Sequence, residues 1–121
     1  MSIELKRAYD APDDSDGRRV LVDKFWPRGV TKEEAALDEW RREVAPSDEL
    51  REWFDHDPDR FDSFRDRYCD ELENAPDAWR PLLEAARERT VTLVYGASDR
   101  EHNHAVVLRD FLLDRLDGES D

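Results

Sequence analysis

Val91-Thr92-Leu93-Val94-Tyr95 is an unbroken run of β-formers, and soon after Gly96 the apolar residues fall instead at helical spacing: His104, Val107, Leu108, Phe111 and Leu112. A change of period across a glycine requires a strand, a loop and a helix in succession. A strand of this kind needs a neighbour at its side and a helical layer over it, which points to an α/β fold. In such folds ligands tend to bind outside the carboxyl ends of the strands, where loop side chains and free helix N–H groups converge. His102 and His104, two of the chain's three histidines, fall at this junction.

The remaining segments fit the same architecture. Ile3 and Leu5 alternate with Glu4 and Lys6, which predicts a first strand with one buried face. Residues 10–17 (DAPDDSDG) have loop chemistry. Val20-Leu21-Val22 is a short continuous apolar run, the pattern of a strand covered on both faces, and Phe25-Trp26-Pro27-Arg28-Gly29 after it reads as a loop. Thr31 and Glu34 have the spacing of a capping box. Residues 37–44 fit both a helical face and a short edge strand. Ser47 and the pair Asp57-Pro58 mark two further helix starts, the second followed by the stripe Phe61, Phe64, Tyr68 and Leu72. Pro76-Asp77 opens another helix carrying Trp79, Leu82, Leu83 and Ala86. Residues 117–121 are a polar tail expected to fray. No repeat, low-complexity tract or linker interrupts the order. It predicts one α/β domain over residues 1–121, a single compact domain with a small, mostly parallel sheet and helices on both faces.

Charge narrows the partners. Thirty-two acids against nineteen bases leave a net charge of −13, which repels phosphate backbones and argues against duplex nucleic acid. Sixteen of the bases are Arg, and Asp outnumbers Glu by nineteen to thirteen. That bias fits a salt-adapted cytoplasm, where screening makes self-repulsion tolerable. Residues 1–10 have no signal-peptide core, and no apolar run approaches the ~20 residues of a membrane span. The single Cys69 excludes an internal disulfide and fits a reducing, cytoplasmic setting. It sits beside Tyr68 in a helical pattern and reads as a packing residue.

Candidate site residues cluster after the two apolar strands. His104 shares its phase with the core-facing residues of the last helix and so points to the sheet end, as an acid/base or ligand-orienting group. His102 is two positions earlier, about 200° around a helix, and so faces away unless it still lies in the loop. Arg28 lies in a Pro-Gly loop suited to holding a guanidinium, whose planar fork recognises phosphate or carboxylate. Asp23, at the strand end, can orient Arg28 or act as a base. Asp99, Glu101 and Asn103 line the second loop, where Asp99 or Glu101 is also a natural helix cap. Tyr95 ends its strand, and His56 precedes the Asp57 cap. His102 and His104 with Asp99 or His56 make a conceivable metal triad, but the spacing matches no zinc signature. Glycine-rich phosphate loops, nucleophile elbows and H-E-x-x-H are all absent, so no metal is assigned, and the sequence leaves any cofactor unknown.

Several segments in order carry a family resemblance: Arg18-x-Val20-Leu21-Val22-Asp23 with Trp26-Pro27-Arg28-Gly29, then Ala45-Pro46-Ser47, then Trp53-Phe54-x-His56-Asp57-Pro58. Phe64-x-x-x-Tyr68-x-x-Glu71-Leu72 and Glu101-His102-Asn103-His104-Ala105 follow. In these the chain resembles the domain-of-unknown-function 488 (DUF488) family, in its short YeaO-like branch. Longer members carry a strand ending in Asp-x-Arg and a late strand followed by Cys-His-Arg. The resemblance matches the first to the strand ending at Asp23 and the second to Asn103-His104-Ala105, with the cysteine and arginine replaced. It therefore singles out His104 as well, and the family has no established activity to transfer.

Together these readings predict a small enzyme acting on an anionic small molecule, phosphorylated or nucleotide-like. Arg28 and the helix N-terminus would hold the anion, and His104 would transfer protons. A non-catalytic module that senses such a ligand or a protein partner would use the same residues for recognition alone. A metal-dependent hydrolase built on the histidines is the third reading.

Overall fold

The computed structural model describes residues 2–119. Four parallel strands form one sheet: β1 (Ser2–Arg7), β2 (Arg18–Leu21), β3 (Glu39–Trp40) and β4 (Thr90–Tyr95), in spatial order β1-β4-β2-β3. The last strand in the chain is thus an inner one. Val91 of β4 is level with Ile3 of β1 on one side and with Arg18 of β2 on the other. An inner parallel strand is covered on both faces, and Val91 to Tyr95 are all buried, as are Val20, Leu21 and Val22. Residues 37–44 resolve as the edge strand β3 and a 3-10 turn over Arg42–Val44. Trp40 anchors that edge by donating its indole N–H to the Asp23 carbonyl at 2.8 Å.

Among the described residues five α-helices follow the predicted starts: α1 (Lys32–Ala35), α2 (Asp48–Phe54), α3 (Phe61–Glu73), α4 (Pro76–Glu88) and α5 (His104–Glu119). Thr31 and Glu34 form a complete capping box on α1, and Ser47 Oγ accepts from Leu50 N on α2. Asp57-Pro58 opens a 3-10 turn over Pro58–Arg60 that runs on into α3. α5 continues through Glu119, three residues into the stretch expected to fray. Its last turns are held because Arg115 lies 3.6 Å from the Phe111 ring centroid and Leu116 packs against the core. Residues 120 and 121 of that expected tail lie outside the described residues.

Alternate strand residues face opposite sides, and the two sides are covered unequally. Ile3, Val20, Val22, Val91, Leu93 and Tyr95 share one core with the apolar stripes of α3, α4 and α5. Each large side chain fully buried there stabilises the fold by about 2 kcal/mol relative to exposure. On the other side Leu21 and Val94 meet Trp26, Leu37 and Trp40, and the end of the single-turn α1 lies there. A polar clasp completes that layer. The buried Arg19 donates to Asp16 Oδ2 at 2.6 Å and twice to the Ala35 carbonyl at the end of α1. Asp16 also takes the Lys6 ammonium at 3.0 Å and the Asp13 amide. No helix among the described residues is long and apolar enough to cross a membrane.

Candidate functional site

Because β2 and β4 are adjacent and parallel, the loops leaving their carboxyl ends emerge together. Asp23 follows β2 and Gly96 follows β4, and Asp23 Oδ2 accepts the Gly96 amide at 2.8 Å. His104, the first residue of α5, reaches the same point. Its Nε2 lies 3.1 Å from the Val22 carbonyl and 3.0 Å from Asp23 Oδ1. Only the contact to the carbonyl has hydrogen-bond geometry, and Asp23 Oδ1 is left buried without a hydrogen bond. A carbonyl can only accept, so in the neutral imidazole Nε2 carries the proton and Nδ1 keeps the lone pair.

These groups form one end of a cavity of about 550 Å³, within the usual range for a small-molecule site. Phe54 and Phe64 form apolar lining, stacked on each other with centroids 4.2 Å apart. Tyr68 stands behind His104 at 6.3 Å between ring centroids and donates its hydroxyl to the Val44 carbonyl at 2.6 Å. Burial pushes the Tyr68 phenol well above its ordinary pKa, so it stays a donor. The Trp26-Pro27-Arg28-Gly29 loop forms another wall, braced by the Trp26 indole donating to the Val30 carbonyl at 2.7 Å. Beside it lies a larger, more open depression of about 690 Å³ that shares Phe25 and Trp26 but none of Asp23, Gly96 and His104. The smaller cavity is therefore the candidate site.

The structure brings Asp23, Arg28, Asn103, His56 and His104 to this cavity, and leaves Asp99, Tyr95 and His102 out of its lining. Arg28 is exposed and makes no ion pair among the described residues, so Asp23 does not orient it. Asn103 is 2 % exposed and is the helix cap: its Oδ1 accepts from Val106 N at 3.1 Å and its Nδ2 donates to the Asp99 carbonyl. Asp99 caps the turn before it, accepting from Glu101 N and His102 N at 2.9 Å each. Those two amides, with His102, hold its carboxyl below the ordinary range. Tyr95 belongs to the core, and burial raises its phenol pKa.

His102 lies before the helix rather than on it, so the 200° argument does not govern where it points. Its Nδ1 meets Asp99 Oδ2 at 3.0 Å, and its ring packs edge-on to Phe61 at 5.2 Å. His104 and His102 thus serve different neighbours, and among the described residues no group of three His, Cys, Asp or Glu side chains is placed to hold a metal ion. His56 is exposed at the rim with φ +54°, directly after Asp55 at +48°. Two successive non-glycine residues in this region store backbone strain, a recurrent feature of functional loops.

Arg51 is the residue the sequence reading missed. It lines the cavity with its Nη2 on Asp48 at 2.8 Å, its Cζ 5.0 Å from the Phe25 centroid, and its buried Nε without a partner. Lys24 also pairs with Asp48, and Phe25, 62 % exposed, lies between the two cations. Leu50 and Phe54 show that α2 is amphipathic, but the face on which Arg51 meets the cavity follows from how α2 docks.

The fold and its strand-end cavity describe a small parallel-sheet α/β domain of one recognisable kind. The chain belongs to the DUF488-N3i family, described as the inactive DUF488-N3 subclade, whose family model matches residues 2–121. Its relatives include the uncharacterised protein YeaO of Escherichia coli, 43% identical over 112 residues that make up 93% of this chain and 97% of that one. The uncharacterised protein Rv3073c of Mycobacterium tuberculosis is 40% identical over 110 residues, 91% of this chain and 92% of its own. No solved structure matches the chain.

Proposed function

We propose that the chain is a small-molecule recognition protein whose ligand carries an anionic group and binds in the 550 Å³ cavity at the carboxyl edge of β2 and β4. The observation that carries this reading is the coexistence of an exposed, unpaired Arg28 with the Arg51 guanidinium and aromatic lining in one cavity. A guanidinium is well suited to phosphate or carboxylate. Recognition without turnover is favoured because among the described residues no Ser, Thr or Cys side chain lines the cavity and the Asp23 carboxylate already serves the Gly96 amide. The description of the matching subclade as inactive agrees. The test is a thermal-shift screen in high salt with phosphorylated metabolites and nucleotides on wild type and Arg28→Ala. A compound at 100 times its Kd adds about 2.7 kcal/mol. Stabilisation of wild type that is lost in the variant supports the reading, and equal stabilisation of both removes Arg28 from it.

The 3.0 Å approach of Asp23 to His104 favours a second reading, a small enzyme in which a neutral His104 uses Nδ1 as a general base. His104→Gln separates the two. Turnover of a bound compound by wild type, abolished in the variant while affinity persists, would make the protein an enzyme.

A further inference from the structure

We infer that the ligand of this cavity carries a planar aromatic ring as well as its anionic group, and that Tyr9 and Phe25, exposed in the cavity lining, take the ring. The inference rests on the recognition reading and adds the part of the ligand that Arg28 does not hold.

Among the described residues three large apolar side chains stand well exposed: Tyr9 at 48 %, Phe25 at 62 % and Leu113 at 37 %. The two aromatic ones line this one cavity, whereas Leu113 lies away from it on α5. Topology brings the pair together. The Ala8 amide donates to the Tyr95 carbonyl at 2.7 Å and the Asp10 amide to the Arg7 carbonyl at 3.0 Å, so Tyr9 sits in a tight turn at the end of β1, beside the start of the Gly96 loop. Phe25 follows the end of β2, on the other side of β4. β1 and β2 are two strand spacings apart, about 10 Å, near enough for one flat ring to touch both side chains. The lining at Gly96 and Ala97 between them is small.

Both rings have cations set against them. Arg7 donates from Nε to the Ala97 carbonyl at 2.8 Å, and its Cζ lies 4.9 Å from the Tyr9 ring centroid. Asp48 pairs with both Lys24 and Arg51, whose charged groups lie 5.7 and 5.0 Å from the Phe25 centroid. Side chains already held in this way lose less freedom when a ligand covers them, and covering them removes apolar surface from water. Arg28 is three residues from Phe25 in the same loop, which keeps their backbones within about 11 Å. Ring and charge therefore belong to one compact molecule, of the size a 550 Å³ cavity takes. A sugar phosphate or inorganic phosphate would use Arg28 and leave both rings in water. Phe25 also borders the larger depression, but Tyr9 and Arg28 line only the smaller one, which fixes where the ring lies. A nucleotide and an aromatic carboxylic acid share this chemistry.

Isothermal titration calorimetry with two matched pairs tests the assignment: AMP with ribose 5-phosphate, and indole-3-acetate with acetate. The proteins are wild type, Tyr9→Leu, Phe25→Leu and Arg28→Ala, with circular dichroism melts to establish folding. In at least one pair the ring-bearing compound should bind wild type about tenfold or more tightly, as stacking on an aromatic side chain supplies. The pair that shows it says whether the anion is a phosphate or a carboxylate. Each leucine substitution keeps apolar bulk but removes the flat face, and should cut that ratio about threefold or more. Arg28→Ala should weaken both members of the pair and leave their ratio unchanged. If a leucine variant does not fold, the wild-type ratios and the other variant decide. Equal binding within both pairs, or a ratio that both leucine variants leave unchanged, overturns the aromatic assignment and leaves the anion site standing. Failure of all four compounds to bind overturns both.

Discussion

Asp23 Oδ2 accepts the Gly96 amide at 2.8 Å, a contact across 73 residues of sequence that ties the ends of β2 and β4 together. A Cβ added to Gly96 would lie 3.1 Å from that same oxygen. Gly96→Ala therefore pushes the carboxylate off its amide and away from His104. We expect a loss of about 1 kcal/mol in urea unfolding together with weaker ligand binding. An alanine variant with wild-type stability and affinity would show that the carboxylate position is not tightly set.

Gly17 is a sharper case. It has φ +64°, and a Cβ there would stand 2.2 Å from the Thr90 carbonyl oxygen, a backbone atom with little room to move. Gly29 has φ +75° with nothing within 4 Å. Gly17→Ala should cost about 3 kcal/mol or more, against about 1 kcal/mol for Gly29→Ala, where only the left-handed backbone is strained. Denaturation of the two variants side by side gives the difference, and equal losses would mean the Thr90 contact relaxes freely.

The clasp around Arg19 makes a prediction for pH. Burial by itself would raise the Asp16 carboxyl, but the Asp13 amide, Lys6 and Arg19 outweigh it and hold the group below its ordinary value. A depressed folded pKa contributes stability that is complete above the unfolded value, about 3.9, and disappears as pH falls through the folded value. Asp10 and Glu39 are shifted in the same direction. Stability should therefore be level above about pH 5 and fall steadily below it. Asp16→Asn strands a buried guanidinium, and should lower the plateau by about 3 kcal/mol and make the acid limb shallower. An unchanged acid limb would mean that other carboxylates carry the pH dependence.

Tyr68→Phe removes one hydroxyl and leaves the Val44 carbonyl without its 2.6 Å partner. About 1–2 kcal/mol should be lost with the core volume preserved. The measurement is the urea midpoint at constant m-value, and a change in m would indicate that the loss is not confined to this bond.

His104 donates from Nε2 to a backbone carbonyl, so long-range ¹H–¹⁵N spectra at neutral pH should show the Nε2-protonated tautomer. Observation of the Nδ1–H form would mean that the Val22 carbonyl does not take the His104 proton.

Much of this fold was legible because its signals are local. Thr31 with Glu34, Ser47 and Asp57-Pro58 start their helices by contacts within a few residues, and the stripe from Phe61 to Leu72 needs only the period of a helix. Two apolar runs and the rule for parallel sheets bring the ends of β2 and β4 to one edge if the strands run parallel, whereas their direct pairing and the approach of Asp23 to His104 come from the structure. Residues 37–44 stayed ambiguous because β3 is two residues long and exists through pairing with β2. Arg19 was overlooked since nothing local marks an arginine whose partners are Asp16 and the end of α1. Arg51 was missed for a related reason, as its unpaired Nε results from how α2 docks. Asp99 and Asn103 drew attention as site residues, yet most of their hydrogen bonds shape the loop and cap α5.

Placing β4 between β1 and β2 sets a condition on how the chain is made. Emerging from a ribosome, β1 has no strand to join and β2 has only the two-residue β3 until residues 90–95 are available, because β4 is the strand that links β1 to β2. The nascent chain must hold three strands and most of its helices in waiting, with apolar faces open, until the last quarter of the sequence arrives. High contact order of this kind slows folding, and here the strand-end cavity is completed only when His104 at the start of the final helix arrives, so a truncated chain would have neither a finished sheet nor this cavity.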